Sequence, residues 1–96
     1  MILWILYDIE NDRARTKVAT ACKQAGLHRV QYSCFLGEIE ADMRDTLGLK
    51  IRALIDEDKD KVYLFAMNQT QLQQCQMLGQ AFDKKLITDQ IKILFL

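Results

Sequence analysis

The chain has 96 residues, half of them hydrophobic, and its thirteen basic side chains are matched by thirteen acidic ones. This length predicts one domain over residues 1–96. The high apolar content with zero net charge excludes a disordered chain, and it also excludes a protein coated in positive charge for binding nucleic acids or membranes. Any affinity for phosphate must therefore come from how the charges are arranged.

Three widely spaced cysteines and a single histidine predict reduced thiols rather than a structural zinc site. The apolar run at the N-terminus has no basic flank and stops at Asp8, so it is too short for a secretory signal or a membrane span. We therefore expect a cytoplasmic protein without a membrane partner.

The first predicted elements are a strand and a helix. The continuous apolar run Ile2–Ile9 predicts a buried strand. Asp12 is a suitable N-cap, which predicts a helix from Arg13 to Ala25. Gly26 follows where a left-handed residue ends such a helix.

The middle of the chain alternates strand and helix patterns. Alternating side chains over Arg29–Ile39 predict a strand, in which Gly37 indicates a bulge or a turn that splits it into two. Helical spacing over Ala41–Ile55 predicts the second helix, the charged stretch Asp56–Asp60 predicts a solvated turn, and Val62–Met67 predicts another strand. In the predicted strand Arg29–Ile39, one face carries Val30, Tyr32, Cys34 and Leu36.

A short polar helix over Gln69–Leu78, with Leu72, Cys75 and Leu78 pointing inward, and a terminal strand over Ile91–Leu96 complete the predicted elements. The order of the first six elements predicts an α+β ferredoxin-like fold (βαββαβ), in which an antiparallel four-stranded sheet carries both helices on one face. The C-terminal helix and strand are additions to that fold.

Two segments, Ile2–Leu6 of the first strand and Val62–Met67, are apolar at every position, so both faces of these strands favour burial. Helices on one face would leave Trp4 and Phe65 facing water in a large apolar patch. This pattern predicts a homodimer that packs sheet face to sheet face about a two-fold axis. The terminal strand Ile91–Leu96 would then add to the partner's sheet edge.

Asp8 interrupts the apolar pattern at the end of the first strand. One interpretation is a carboxylate that caps the turn into the first helix. In a face-to-face dimer, Asp8 would instead meet its symmetry mate, and two carboxylates could hold Mg²⁺ or Mn²⁺ for phosphodiester chemistry. We carry both interpretations forward.

Basic residues cluster at the start of the first helix, where the helix dipole favours acids. With no evident acidic partner, they predict contact with a phosphate-bearing ligand, although a solvated face explains them equally well. By contrast, residues 37–60 carry eight acidic and four basic side chains, so the neutral chain is polarised. The cationic candidates are Arg13, Arg15, Lys17 and Arg29.

Three segments of this sequence resemble the second CRISPR-associated core protein family, the small subunit of the spacer-acquisition complex. They are Tyr7-Asp8-Ile9, the basic helix and the segment from Gly26 to Gly37. The resemblance covers about the first two thirds of the chain. It implies a ferredoxin-like homodimer in which paired copies of Asp8 bind a divalent metal at the interface. It further implies a dimer that bridges the larger CRISPR integrase subunits and supports duplex DNA, with metal-dependent cleavage of RNA or DNA reported for some members.

Three hypotheses follow from these residues together with the resemblance. The first is a DNA-binding adaptor in CRISPR spacer acquisition, and the second is a Mg²⁺-dependent endonuclease or endoribonuclease. The third is a toxin-type ribonuclease on a related ferredoxin-like dimer, which an antitoxin gene nearby would distinguish from a protein encoded beside a CRISPR array. The resemblance links activity or nucleic-acid contact to Tyr7, Asp8, Arg15, Lys17, Arg29, Ser33 and Phe35.

Overall fold

The computed structural model describes residues 1–79, which form four strands and three helices. The antiparallel strands are ordered β2-β3-β1-β4, which confirms the predicted α+β ferredoxin-like arrangement. The predicted strand Ile91–Leu96 lies outside the described residues. The elements are β1 (Ile2–Asp8), α1 (Asp12–Gln24), β2 (His28–Gln31), β3 (Cys34–Glu38), α2 (Ala41–Leu54), β4 (Lys61–Met67) and α3 (Gln69–Gln74).

Strand β1 is central, and its alternate side chains enter two separate apolar clusters. Leu3, Ile5 and Tyr7 lie on the face covered by α1 and α2, where they are buried. Such alternation is the two-residue period of a strand, so one apolar run supplies both faces of the sheet. The helices contribute Val18, Ala19, Cys22, Leu47 and Ile51 to this helix-side core.

The opposite face of the sheet is partly covered by α3. Leu72 of α3 is buried there with Ile2 and Leu36, and Trp4 packs against the same cluster. The prediction that Trp4 faces water is therefore wrong, because the short helix shields that end of the face. Val30 and Cys34 belong to this cluster too, as the alternation predicted.

The chain reverses between β2 and β3 at Tyr32 and Ser33, and Gly37 lies within β3. The predicted split of this strand is confirmed, but its predicted position at Gly37 is wrong. Tyr32 is 90% exposed because it occupies the turn and not the strand face. Gly37 instead allows close packing against Leu27.

Helix α1 begins one residue earlier than predicted. Asn11 is the N-cap, and its Oδ1 accepts a hydrogen bond of 2.9 Å from the backbone N–H of Ala14. Asp12 becomes the first helical residue, where its charge complements the helix dipole. At the other end, Gly26 has a φ of 90°, which confirms the predicted left-handed position.

Helix α3 ends at Gln74, which is shorter than the predicted span. It begins with a capping box between Asn68 and Gln71 and buries Leu72. Cys75 and Leu78 are exposed, so the prediction that they point inward is wrong. Within residues 1–79, none of the helices combines the length and the apolar character needed to cross a bilayer.

Replacing Gly37 with alanine is expected to lower the free energy of unfolding by about 1–3 kcal/mol. The added Cβ would lie 3.0 Å from Leu27 Cδ2 and 3.2 Å from Leu27 Cα, and a backbone atom cannot move away easily. Gly48→Ala is the matched control, because a Cβ at that position of α2 meets no atom within 4 Å. It should instead stabilise the helix by about 0.5–1 kcal/mol. Urea unfolding measures both, and a Gly37→Ala protein as stable as the wild type would contradict the packing argument.

Candidate metal and nucleic-acid site

Asp8 is the last residue of β1 and its side chain is exposed. In the β1–β4 register its Cα partner is Lys61, the first residue of β4. The strand period places Asp8 on the same face as Leu6, away from α1 and α2. The carboxylate therefore lies at one end of the sheet face opposite α1 and α2.

Beside Asp8, part of this face is apolar and open to solvent. Leu6 is 38% exposed, Tyr63 53% and Phe65 51%, and we call these three residues the open sheet face. The rings of Tyr63 and Phe65 lie 6.1 Å apart between centroids with nearly parallel planes. The predicted exposure is thus confirmed at Phe65, although not at Trp4, and large neighbouring apolar side chains are typical of an interface.

A single chain does not bring enough ligands to Asp8 for a closed metal site. Among residues 1–79, no three His, Cys, Asp or Glu side chains are grouped so as to hold a metal ion. A carboxylate is nonetheless the donor that Mg²⁺ and Mn²⁺ prefer, usually alongside water and substrate oxygens. Asp8 thus fits such an ion as one oxygen ligand among several.

Tyr7 and Phe35, two of the predicted supporting residues, belong to the helix-side core. Their rings stack at 6.3 Å, and the Arg29 guanidinium lies 5.2 Å from the centroid of Phe35. Burial raises the pKa of Tyr7, while the neighbouring Arg29 acts in the opposite direction. These aromatic side chains anchor Arg29 at the sheet margin, and a direct ligand contact by Tyr7 or Phe35 stays a prediction.

Ser33 contributes to the same region through its backbone. Its carbonyl oxygen accepts a 3.0 Å hydrogen bond from the N–H of Tyr7, which ties the β2–β3 turn to the end of β1. The residue before Asp8 is thereby fixed in place. This contact gives Ser33 a structural role at the site that does not depend on its hydroxyl.

Of the three cations in α1 that were predicted to contact phosphate, one forms contacts within the chain and two form no ion pair with the described residues. Arg15 Nη1 donates to the carbonyl of Ile9 at 3.0 Å, and Arg15 Nη2 forms an ion pair with Asp12. The expectation that this cluster lacks an acidic partner is therefore wrong for Arg15. Arg13 and Lys17 are exposed, and neither forms an ion pair with an acidic side chain among residues 1–79.

Arg13 and Lys17 line one groove of about 710 Å³ between the start of α1 and the end of α2. The four-residue spacing between them places both side chains on one face of α1. Lys59 adds a third cation to the groove, whose lining also includes the acids Glu10, Asp56 and Asp60. Asp8 is not among the lining residues, so the cations and the acid form neighbouring features rather than one pocket.

Asp60 is a site residue that the sequence did not reveal. Its Oδ1 accepts a 3.0 Å hydrogen bond from the N–H of Glu10, and its Oδ2 accepts one of 2.9 Å from the N–H of Asp56. These bonds from Asp56 and Glu10 lower the pKa of Asp60. Residues 56–59 are exposed as predicted, whereas Asp60 is only partly exposed and also holds the loop that follows Asp8.

Comparison with known proteins places this geometry in context. Residues 1–75 match the family model described as CRISPR associated protein Cas2. The chain is 32% identical over 69 residues to CRISPR-associated endoribonuclease Cas2 1 of Archaeoglobus fulgidus, covering 72% of this chain and 73% of that protein. It is 35% identical over 79 residues to CRISPR-associated endoribonuclease Cas2 2 of Chloroflexus aurantiacus, covering 82% and 93% respectively.

Solved structures share the fold. Streptococcus pyogenes Cas2 at pH 6.5 superposes with a TM-score of 0.71 at 21% identity, covering 82% of this chain and all of that one. A hypothetical protein from Thermus thermophilus gives a TM-score of 0.70 at 28% identity, covering 81% and 89%. The arrangement of strands and helices described above is thus similar to that of known structures.

Proposed function

The chain belongs to the CRISPR-associated Cas2 family, and we propose that it acts in spacer acquisition as a homodimeric adaptor. In this role the dimer binds duplex protospacer DNA and bridges copies of the larger integrase subunit. Family membership favours this function over the toxin-type ribonuclease, which shares only the fold and the acid at the end of a strand.

The observation that carries the proposal is the open sheet face of Leu6, Tyr63 and Phe65 with Asp8 at its end. A second copy of this chain is the occupant that best matches an apolar sheet face, since a two-fold axis pairs the same residues from both molecules. Such packing would bury Phe65 and bring both copies of Asp8 to one interface.

Duplex binding is proposed to use the exposed cations of α1. Arg13 and Lys17 lack acidic partners among the described residues, so their charges are available to phosphates. Dimerisation doubles this set, and Arg29 adds a cation held over Phe35. A narrow basic stripe of this kind can bind DNA although the whole chain is neutral.

A metal-dependent nuclease is the second candidate function, and Asp8 is the residue that favours it. Relatives are named endoribonucleases, and one from Halalkalibacterium halodurans is named an endonuclease. In a dimer, the two copies of Asp8 would hold Mg²⁺ or Mn²⁺, which supplies charge stabilisation in phosphodiester hydrolysis. We rank this activity, on RNA or DNA, below the adaptor role.

Spacer integration by the candidate integrase subunit is expected to require this chain. The two proteins should co-purify, and omission of this chain should abolish integration of a duplex protospacer into a CRISPR array in vitro. Asp8→Ala should retain integration, because an adaptor needs the dimer and its basic surface rather than a nuclease centre. Integration at the full rate without this chain would contradict the adaptor function.

A cleavage assay with the same preparations separates the two functions. Any Mg²⁺-dependent cleavage of RNA or duplex DNA should disappear in Asp8→Asn, which keeps the shape of the side chain but removes its charge. An Asp8→Asn protein that cuts as fast as the wild type would exclude the proposed metal site. Glu10→Gln is the matched control, because Glu10 is a neighbouring exposed acid that lies beyond the end of β1.

A further inference from the structure

The connection between β1 and α1 is three residues long, and each of them is held differently. Ile9 is buried in the helix-side core, and Asn11 caps α1 through its side chain. Glu10 lies between them with an exposed side chain, and its backbone N–H donates to Asp60 Oδ1 at 3.0 Å. Asp60 therefore anchors the middle of a loop that joins the strand bearing Asp8 to the helix bearing Arg13.

The same carboxylate also anchors a second loop. Asp60 Oδ2 accepts the N–H of Asp56 at 2.9 Å, in the connection from α2 to β4. One side chain thus spans two connections, and Glu10 and Asp60 are 50 residues apart in the sequence. The three residues line the groove that also contains Arg13 and Lys17.

We propose that Asp60 is a positioning residue for nucleic-acid binding, which fixes the loop that joins β1 to α1 so that Arg13 and Lys17 meet phosphates in one arrangement. The inference rests on the proposed function. Asp60 carries negative charge beside these cations, so by charge alone it opposes a phosphate ligand. Its favourable contribution to binding comes through loop geometry, and the two effects have opposite signs.

This difference in sign gives a direct test with Asp60→Asn and Asp58→Asn. Both variants remove one negative charge from the same loop, but only Asp60 bridges Glu10 and Asp56 through its two carboxylate oxygens. The amide has one acceptor oxygen, so Asp60→Asn loses one of the two hydrogen bonds. In fluorescence anisotropy with a labelled 30-bp duplex, Asp60→Asn should bind roughly threefold to tenfold more weakly than the charge-matched Asp58→Asn, the factor expected for one lost hydrogen bond. Asp58→Asn should bind as tightly as the wild type or more tightly.

Amide exchange supplies a readout that does not depend on DNA. In the wild-type chain the Glu10 N–H should exchange slowly although Glu10 is exposed. In Asp60→Asn the N–H of either Glu10 or Asp56 should exchange faster, according to which hydrogen bond the amide loses. Fast exchange of the Glu10 N–H in the wild type would overturn the proposal even if the variant failed to fold. Equal tightening of duplex binding by the two variants would also overturn it.

The Arg13→Glu, Lys17→Glu double variant shows which of the two proposals has failed. If that protein binds the duplex like the wild type, the DNA-binding function itself is wrong, and Glu10 exchange alone decides whether Asp60 holds the loop. If the double variant binds weakly while Asp60→Asn behaves like Asp58→Asn, the DNA-binding function stands and the role of Asp60 is refuted.

Discussion

Reversing the charges of Arg13 and Lys17 to glutamate should weaken duplex binding by roughly one to two orders of magnitude at low salt. Both side chains are exposed, and neither is held by an acidic partner among residues 1–79. Removing two phosphate contacts should also lower the slope of log K against log salt by about two for each chain in contact with the DNA. Titrations at several salt concentrations measure both effects.

Lys23→Glu is the matched control for this experiment, because Lys23 lies on the same helix but in its last turn. It carries half of the charge change of the double variant, at the opposite end of α1, and should alter the salt slope little. Arg15 is unsuitable for charge reversal, since its guanidinium holds the carbonyl of Ile9 and pairs with Asp12. A double variant with an unchanged salt slope would refute the proposed contact between α1 and phosphate.

The two-sided burial of β1 could be predicted from the sequence because it depends on a short-range pattern. A run of apolar residues with no polar alternation requires contacts on both sheet faces, and Leu3 and Ile2 meet different clusters as expected. What covers each face is a tertiary property. The packing of Leu72 from α3 beside Trp4 could not be derived from the pattern of β1 alone.

The predicted position of the turn between β2 and β3 is wrong for a geometric reason. A two-residue turn alone would reverse the alternation of faces along the chain, but a register shift between Arg29 and Gln31 reverses it again. Val30 and Cys34 therefore lie in one cluster, just as they would in an uninterrupted strand. The exposed Tyr32 interrupts the strand without interrupting the sequence pattern.

The site residues also divide into those placed by local sequence and those placed by tertiary contacts. Local spacing alone puts Asp8 at the end of a strand, and it puts Arg13 and Lys17 on one face of a helix. The bridge from Asp60 to Glu10 depends on how two distant loops meet, and no local signal encodes it. The structure thus adds the hydrogen bonds that hold the site in place, whereas the charged residues can be found from the sequence.

Replacing Phe65 with aspartate should convert the proposed homodimer to a monomer. Each copy loses about 1 kcal/mol or more of apolar burial and must desolvate a new carboxylate. A two-fold interface contains the substitution twice, so the dissociation constant should rise by roughly two to three orders of magnitude. Sedimentation velocity measures the change.

Met43→Asp is the matched control. Met43 is 47% exposed on α2, on the other side of the sheet, so its replacement should leave the oligomeric state unchanged.

The same variant connects the dimer to the metal site, because one chain supplies only one copy of Asp8. Monomeric Phe65→Asp should lose Mg²⁺ or Mn²⁺ binding in calorimetry although Asp8 is intact, whereas Asp8→Asn should lose binding and remain a dimer. A wild-type chain that sediments as a monomer would refute the dimer directly. A monomeric Phe65→Asp protein with undiminished metal affinity would instead leave the dimer standing and place the metal site within a single chain, contrary to the role proposed for paired copies of Asp8.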